Sequence, residues 1–549
     1  MSRSFVVRAP GLLALAAGLL GPSGSAVAQT GIACGTIDVT RLRPQSGFAF
    51  ILPVFVDEGD SSAATTVSRV VVFENDVPLG PGHSAHAVIR ATGRGAYSHW
   101  RTALYLSSTD NSDPRANGRI YRYGVEVGPC PVSLNPLPIE MTRIAGDAPL
   151  YATFQSHNQK VVENQFGIFL TYLDKVKPVA DRCPHFPQPP CYDSPYLWKL
   201  MRSIDSGRTF ATVYEATADT RSPSLETDSR GNLYLFVMDY APGHDDAFLY
   251  RFLSARSFEA PEITRIPHAV GGKYTSFLDG DRGWLYFFNN SGGAPNFYVF
   301  DLNGTLLQSA QLLRNGPHAV LQYPFLAMSG STLYAAWTTS LVDRYLYWDI
   351  HFMASEDGGV TWKKGDGTPL SLPVLADDTG AADSLVLGDE YGFHNWLAGI
   401  AAQGGYLHFM YESQRPAMRE HYLRFNPRTR AVDLNTYPSW QGGQLSIRSL
   451  DGFFASDTSA PTGLLYAVST DNTRSSVSRI VVLASTDSGR SWFDYAASQP
   501  FARPYSIGGA RIARAGGQIM GTFTNLVQPD AGAAANVNEV WFFRVGARP

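Results

Sequence analysis

A histidine followed by an asparagine occurs twice in this chain of 549 residues, at His157-Asn158 and at His394-Asn395. Tyr274, Gln322 and Tyr323 lie between the two pairs, and Arg448 and Arg511 follow them. Together these residues offer proton donors and acceptors, amides and cations, a set that can hold an anionic group and move a proton beside it. Tyr323 or Tyr274 is expected as the acid–base group, His394 as a second histidine, and Arg448 or Arg511 as the countercharge of a carboxylate. Gln322 and Asn395 would bind substrate. The same residues also have structural uses, since a histidine or asparagine at a strand start caps turns and an arginine pairs with a neighbouring element. Which use applies depends on the elements that carry them.

Those elements recur. From about residue 150 onward, the pattern of apolar strand, tight turn and Leu-Tyr-type strand appears seven times, beginning at His157, Ser222, Tyr274, Gln322, His394, Arg448 and Gly509. Glycine, or Asp/Asn with glycine, stands at the bends, where hairpins need positive φ. The starts lie roughly 45 to 75 residues apart, room for a four-stranded antiparallel sheet each time. The chemistry-bearing residues sit at the starts of the first strands, so they meet only if the sheets close into a ring.

A second repeat supports the ring. Ser203-x-Asp205-x-Gly207-x-Thr209-Phe210, Ser355-x-Asp357-x-Gly359-x-Thr361-Trp362 and Ser485-x-Asp487-x-Gly489-x-Ser491-Trp492 share one spacing, and each follows a hairpin. The spacing predicts a turn between third and fourth strands, with Ser and Asp oxygens capping backbone amides and the aromatic ring packing inward. These boxes resemble the Asp-box, or BNR, repeats of sialidase-like β-propellers, and with the hairpins the resemblance spans roughly residues 150 to 549. It implies an all-β fold: a seven-bladed β-propeller with Asp-box repeats, preceded by a small β-rich N-terminal module. The expected divisions are a signal peptide at 1–28, the module at 29–149 and the propeller at 150–549. In such a ring the first-strand starts converge on the mouth opposite the boxes.

A sialidase centre needs an arginine triad, a tyrosine with a glutamate, and an aspartate. Arg265-Ile266-Pro267 matches a sialidase motif in letters, but it falls late in the second repeat. The pattern is closer to seven-bladed propeller polysaccharide lyases of the ulvan lyase and rhamnose–glucuronate lyase type, whose first innermost strand carries a His-Asn motif similar to Ser156-His157-Asn158-Gln159-Lys160. That resemblance implies His157 as base or neutraliser, Asn158 as a carboxylate ligand, and β-elimination at a uronic acid without a metal or cofactor. The alternatives are a glycoside hydrolase, which would set Asp245, Glu412 or Asp383 against one another, and a non-catalytic glycan-binding propeller.

Aromatic residues reach 12% of the chain, and Tyr196, Trp198, Trp284, Trp348 and Trp396 are candidate sugar-stacking platforms, Tyr196 foremost because it borders a proline-rich loop. That loop is bracketed by Cys183 and Cys191, which are expected to pair in an exported protein, leaving Cys34 with Cys130. Export is expected from Arg3 and Arg8, the apolar run Leu12 to Leu20 and the small residues Ala26-Val27-Ala28. A net charge of −4 offers no basic surface for nucleic acid, and no later stretch is long and apolar enough to span a bilayer. The expected partner is an anionic extracellular polysaccharide, met by a secreted or periplasmic monomer. His83, His86 and His99 are read as turn and surface histidines ahead of a metal site.

Overall fold

The computed structural model describes residues 34–53, 59–75, 77–125, 136–154, 158–174, 196–218, 222–238, 246–269, 271–293, 295–342, 346–377, 383–386, 394–413, 419–441, 443–445, 452–457, 464–471, 478–511, 519–527 and 537–545. The expected leader and the side chains of all four cysteines lie outside that description.

From residue 161 to residue 545 seven antiparallel strand groups follow one another, the last two joined into one eight-stranded sheet through Leu137–Ala148, which pairs in parallel with Phe493–Ala497. Their first strands are Val161–Asn164, Ser224–Thr227, Tyr274–Asp279, Ala319–Ser329, Asn395–Gln403, Phe453–Asp457 and Pro504–Gly509. Each of these strands touches the next, and the seventh touches the first, so the sheets form a ring of blades. Separate apolar cores fill the space between successive blades. Phe169, Trp198 and Leu235 pack between blades one and two, and the ring closes with Val161, Ile168, Val540 and Phe542 between seven and one.

Burial explains why the inner strands read as apolar runs. Leu233–Met238, the second strand of blade two, is buried at every position because other blades cover both its faces. The fourth strands Leu306–Ala310 and Ala431–Thr436 line the rim, and most of their positions are exposed or half-exposed.

Blade seven has three strands of its own, ending in Asn538–Val545. Its fourth is Leu137–Ala148, paired antiparallel with that last strand from Ile139 opposite Val545 to Ala148 opposite Asn538. Part of the segment expected in the N-terminal module is thus a blade strand. Upstream of it, two four-stranded sheets enclose a core of Ile37, Leu52, Val72, Leu104 and Tyr121. His99 is a correction to the surface reading: it is 1% exposed, with Nδ1 2.8 Å from the Ser68 hydroxyl. His83 contacts Asp60 and His86 stacks on Tyr105, so the three histidines have separate partners.

All three boxes occupy the turn between third and fourth strands and share one hydrogen-bond pattern. In the second, the Gly359 amide donates to Ser355 Oγ at 2.7 Å and the Thr361 amide to Asp357 Oδ1 at 2.9 Å. The same bonds link Gly207 to Ser203 and Gly489 to Ser485. Positive φ at Gly207, Gly359 and Gly489 accounts for the glycine in the spacing.

Candidate functional site

The mouth opposite the boxes is built from residues at or just before the first strands of blades three to five. Tyr323 lies where the strand Ala319–Ser329 slips register against its neighbour, between Gln322 and Phe325, and its φ is +44°. A non-glycine residue held there costs about 1–3 kcal/mol, and such bulges concentrate where a side chain must be re-aimed. The Tyr323 hydroxyl lies 3.2 Å from that of Tyr347, which opens the third strand of the same blade. Both rings are buried, together with Phe154, Trp396 and Tyr411.

Two charged or titratable groups flank this pair. Lys273, immediately before the first strand of blade three, places Nζ 4.4 Å from the centre of the Tyr323 ring and 5.8 Å from that of Tyr347. Its ammonium donates to Gln322 Oε1, and its backbone amide donates to Asn290 Oδ1 at 3.0 Å. From the other side, His394 accepts the Tyr347 backbone N–H on Nδ1 at 3.1 Å and stacks on Trp396 at 4.2 Å. A nitrogen that accepts carries no proton, so neutral His394 holds its hydrogen on Nε2. Burial pushes its pKa below the ordinary value of 6.5, which keeps the ring neutral at neutral pH. Such an imidazole donates a hydrogen bond and has no vacant base on Nδ1.

Gln322, Tyr323 and His394 are therefore drawn into one cluster. Asn158, 1% exposed, makes no side-chain hydrogen bond among the described residues. Nearly all buried amides find a hydrogen-bond partner, so Asn158 stays a candidate binding group. Asn395 donates to the Trp348 carbonyl at 2.8 Å, and Tyr274 directs its hydroxyl to the Ser222 and Phe236 carbonyls at 3.3 and 3.2 Å. Both thereby tie one blade to the preceding one. His157, Arg448, Asp245 and the side chains of Tyr196 and Asp383 lie outside the described residues.

Arg511 lies elsewhere. The seventh first strand begins at Pro504, five residues ahead of the expected Gly509, so Arg511 follows the strand instead of opening it. Its guanidinium bonds Glu226 Oε1 at 2.8 Å and the Ser276 carbonyl at 2.6 Å, and its backbone amide bonds Gln159 Oε1 at 2.8 Å. A cavity of about 190 Å³, lined by Val161, Glu226, Phe277, Arg511 and Met520 among others, opens there.

Among the stacking candidates, Trp198 is fully buried against Tyr214 and Tyr250, and Trp348 is 8% exposed. Trp284 sits under the Arg282 guanidinium, and Trp396 backs His394. Arg265 lies on the outermost strand of blade two, paired with Asp246, away from the canal. Sequence reasoning missed Lys273, one residue before the segment beginning at Tyr274, and Tyr347, which nothing in its local pattern distinguishes from a core aromatic.

No family model matches the chain, and no curated protein does. Solved structures do. An ulvan lyase from a new family of polysaccharide lyases, bound to a sulfated glucuronate–rhamnose repeat, aligns at a TM-score of 0.50 and 12% identity, covering 74% of this chain and 96% of the other. The chain shares its propeller fold with that lyase. A second polysaccharide lyase aligns at a TM-score of 0.46 and 10% identity, over 75% and 99% of the two chains. An α-L-arabinanase from Penicillium chrysogenum, solved with arabinobiose, aligns at 0.37 and 11%, over 75% and 98%. At these identities the likeness is one of fold. Among the described residues, no helix is long and apolar enough to cross a membrane.

Proposed function

We propose that the chain is a glycan-degrading enzyme that cleaves a uronate-containing extracellular polysaccharide by β-elimination. The observation that carries this reading is the convergence of Lys273, Gln322, Tyr323, Tyr347 and His394 at one mouth. Elimination requires neutralisation of the carboxylate, removal of the proton alpha to it, and protonation of the departing oxygen. The amides of Gln322 and Asn158 are donors for the carboxylate, His394 lies beside them as a neutral ring, and Tyr323 is the proton-transfer group. His157 as base or neutraliser and Arg448 as countercharge complete the set on the resemblance to propeller lyases. The fold shared with an ulvan lyase agrees with this choice.

A hydrolase reading has one observation of its own. Glu412 and Glu420 face each other in register on adjacent strands of blade five, both buried. Directly opposed residues stand about 5 Å apart at Cβ, which brings two carboxyl groups to one place, as glycoside cleavage requires. The two readings separate on products. Incubation with uronate polymers such as ulvan or glucuronans should generate ultraviolet-absorbing unsaturated ends with every new reducing end. New reducing ends without that absorbance would transfer the assignment to Glu412 and Glu420, and bound glycan left intact would favour a binding propeller.

A further inference from the structure

We infer that Tyr323 and Tyr347 act as a phenolate–phenol couple with Lys273 as its counterion, one ring taking the substrate proton and the other returning one to the departing sugar oxygen. The substrate in this inference rests on the elimination reading above; the couple itself rests on geometry alone.

Two tyrosine hydroxyls 3.2 Å apart can share a proton, and the hydrogen bond from the neutral ring stabilises the ionised one. The ring planes are tilted by 52° with centroids 5.3 Å apart, so the contact is made edge to edge through the oxygens and does not follow from stacking. Lys273 stands over Tyr323 at 4.4 Å and reaches Tyr347 at 5.8 Å, which favours the anion on Tyr323. Tyr323 and Tyr347 are 5% and 3% exposed; burial alone disfavours a phenolate, so the couple depends on the ammonium, whose attraction for the anion is stronger in a buried site. Among the described residues, the other titratable groups of the cluster include His394, neutral for the reasons above with its ring 6.0 Å from that of Tyr347, Tyr334 and Tyr411. The left-handed φ of Tyr323 shows that its ring is set beside Tyr347 at a backbone cost.

The step balances within the couple. The Tyr323 phenolate takes the proton alpha to the uronate carboxylate, and the electron pair of that C–H bond becomes the new double bond. The bond from the beta carbon to the glycosidic oxygen breaks with its pair, and that oxygen takes the Tyr347 hydroxyl proton. Charge then rests on Tyr347, and transfer of the proton from Tyr323 across the 3.2 Å contact restores the starting state. Nothing is oxidised or reduced.

The test compares the full chain with its Lys273→Met, Lys273→Arg and Tyr323→Phe variants, folding being checked by circular dichroism. Tyrosinate absorbance is followed during a pH titration of the resting protein, and turnover on a uronate polymer is followed against pH. The expected result is one tyrosine that ionises more readily than an ordinary phenol. Its signal should disappear in Tyr323→Phe, move to higher pH in Lys273→Met and survive in Lys273→Arg. Turnover of Lys273→Met should fall roughly 100-fold near neutrality and recover as pH rises, with KM little changed. Should Lys273→Met leave both titration and profile unaltered, the inference is overturned. An early-ionising tyrosine in a protein that forms no unsaturated product upholds the couple and removes the elimination reading. Unsaturated product without such a tyrosine does the reverse.

Discussion

Arg511 reaches across the ring to Glu226, Nη1 to Oε1 at 2.8 Å, and so joins blade seven to blade two. Gln159 of the segment entering blade one donates to the other carboxylate oxygen at 3.0 Å, and Ser276 of blade three donates to the first at 2.8 Å. Four blades thus meet on one ion pair whose carboxylate is 5% exposed. Arg511→Ala leaves Glu226 charged in a buried site, and a loss of roughly 3 kcal/mol of stability is expected. Denaturant unfolding measures it, and the double variant with Glu226→Gln should recover part of the loss. An unchanged midpoint for Arg511→Ala would show that the pair contributes nothing to holding the ring.

Tyr274 and Tyr323 give a contrast on neighbouring blades. Tyr274→Phe removes a hydroxyl that donates to backbone carbonyls, so a loss of about 1 kcal/mol of stability with turnover retained is expected. Tyr323→Phe should lower turnover by about 100-fold or more while thermal unfolding stays close to wild type. Equal effects of both substitutions on turnover would remove Tyr323 from the chemistry.

The boxes predict an acid limb. Hydrogen bonds from Thr361 and Ser355 outweigh burial and hold the Asp357 carboxyl down to about 2, from an ordinary value of 3.8. A depressed carboxylate stabilises the fold above its unfolded value, and that contribution disappears as pH falls through the folded one. Wild type should therefore lose stability between about pH 4 and pH 2, and Asp357→Asn should lose less over that window. Parallel curves would mean that the box carboxylate does not couple to folding. Ser355→Ala, at a fully buried site, should cost about 1 kcal/mol at any pH, with turnover unaffected.

Asp494 shifts in the other direction. Burial drives it up to about 7, against a bond from the Gln441 backbone amide that lowers it. A raised carboxyl favours the folded state while protonated, so stability should decline as pH rises from about 4 through about 7 and then level off. Asp494→Asn, which keeps an acceptor for Gln441, should raise the Tm at about pH 8 and have little effect at about pH 4. A uniform shift at both pH values would trace the effect to packing instead.

The ring was largely legible in the chain because inner strands, covered on both faces, become continuous apolar runs broken by turn glycines. The boxes were legible because their hydrogen bonds need a fixed Ser-Asp-Gly spacing. The site was less so. Lys273 lies just ahead of its strand, and Tyr347 is one buried aromatic among many until the Tyr323 bulge brings their hydroxyls together. Arg511 was misplaced because the last first strand, Pro504–Gly509, slips register between Tyr505 and Gly508, which breaks the alternation that would have marked its start. The partner of Leu137–Ala148 could not be read locally at all.

That last pairing shapes how the molecule is made. The strand Leu137–Ala148 is synthesised early, yet its antiparallel neighbour Asn538–Val545 emerges about 400 residues later, a loop closure that costs on the order of 5 kcal/mol in chain entropy. Until then its hydrogen-bonding edge is open to any matching strand, including that of another copy. Refolding at high concentration should therefore yield strand-exchanged oligomers alongside the closed ring, and dilution should suppress them.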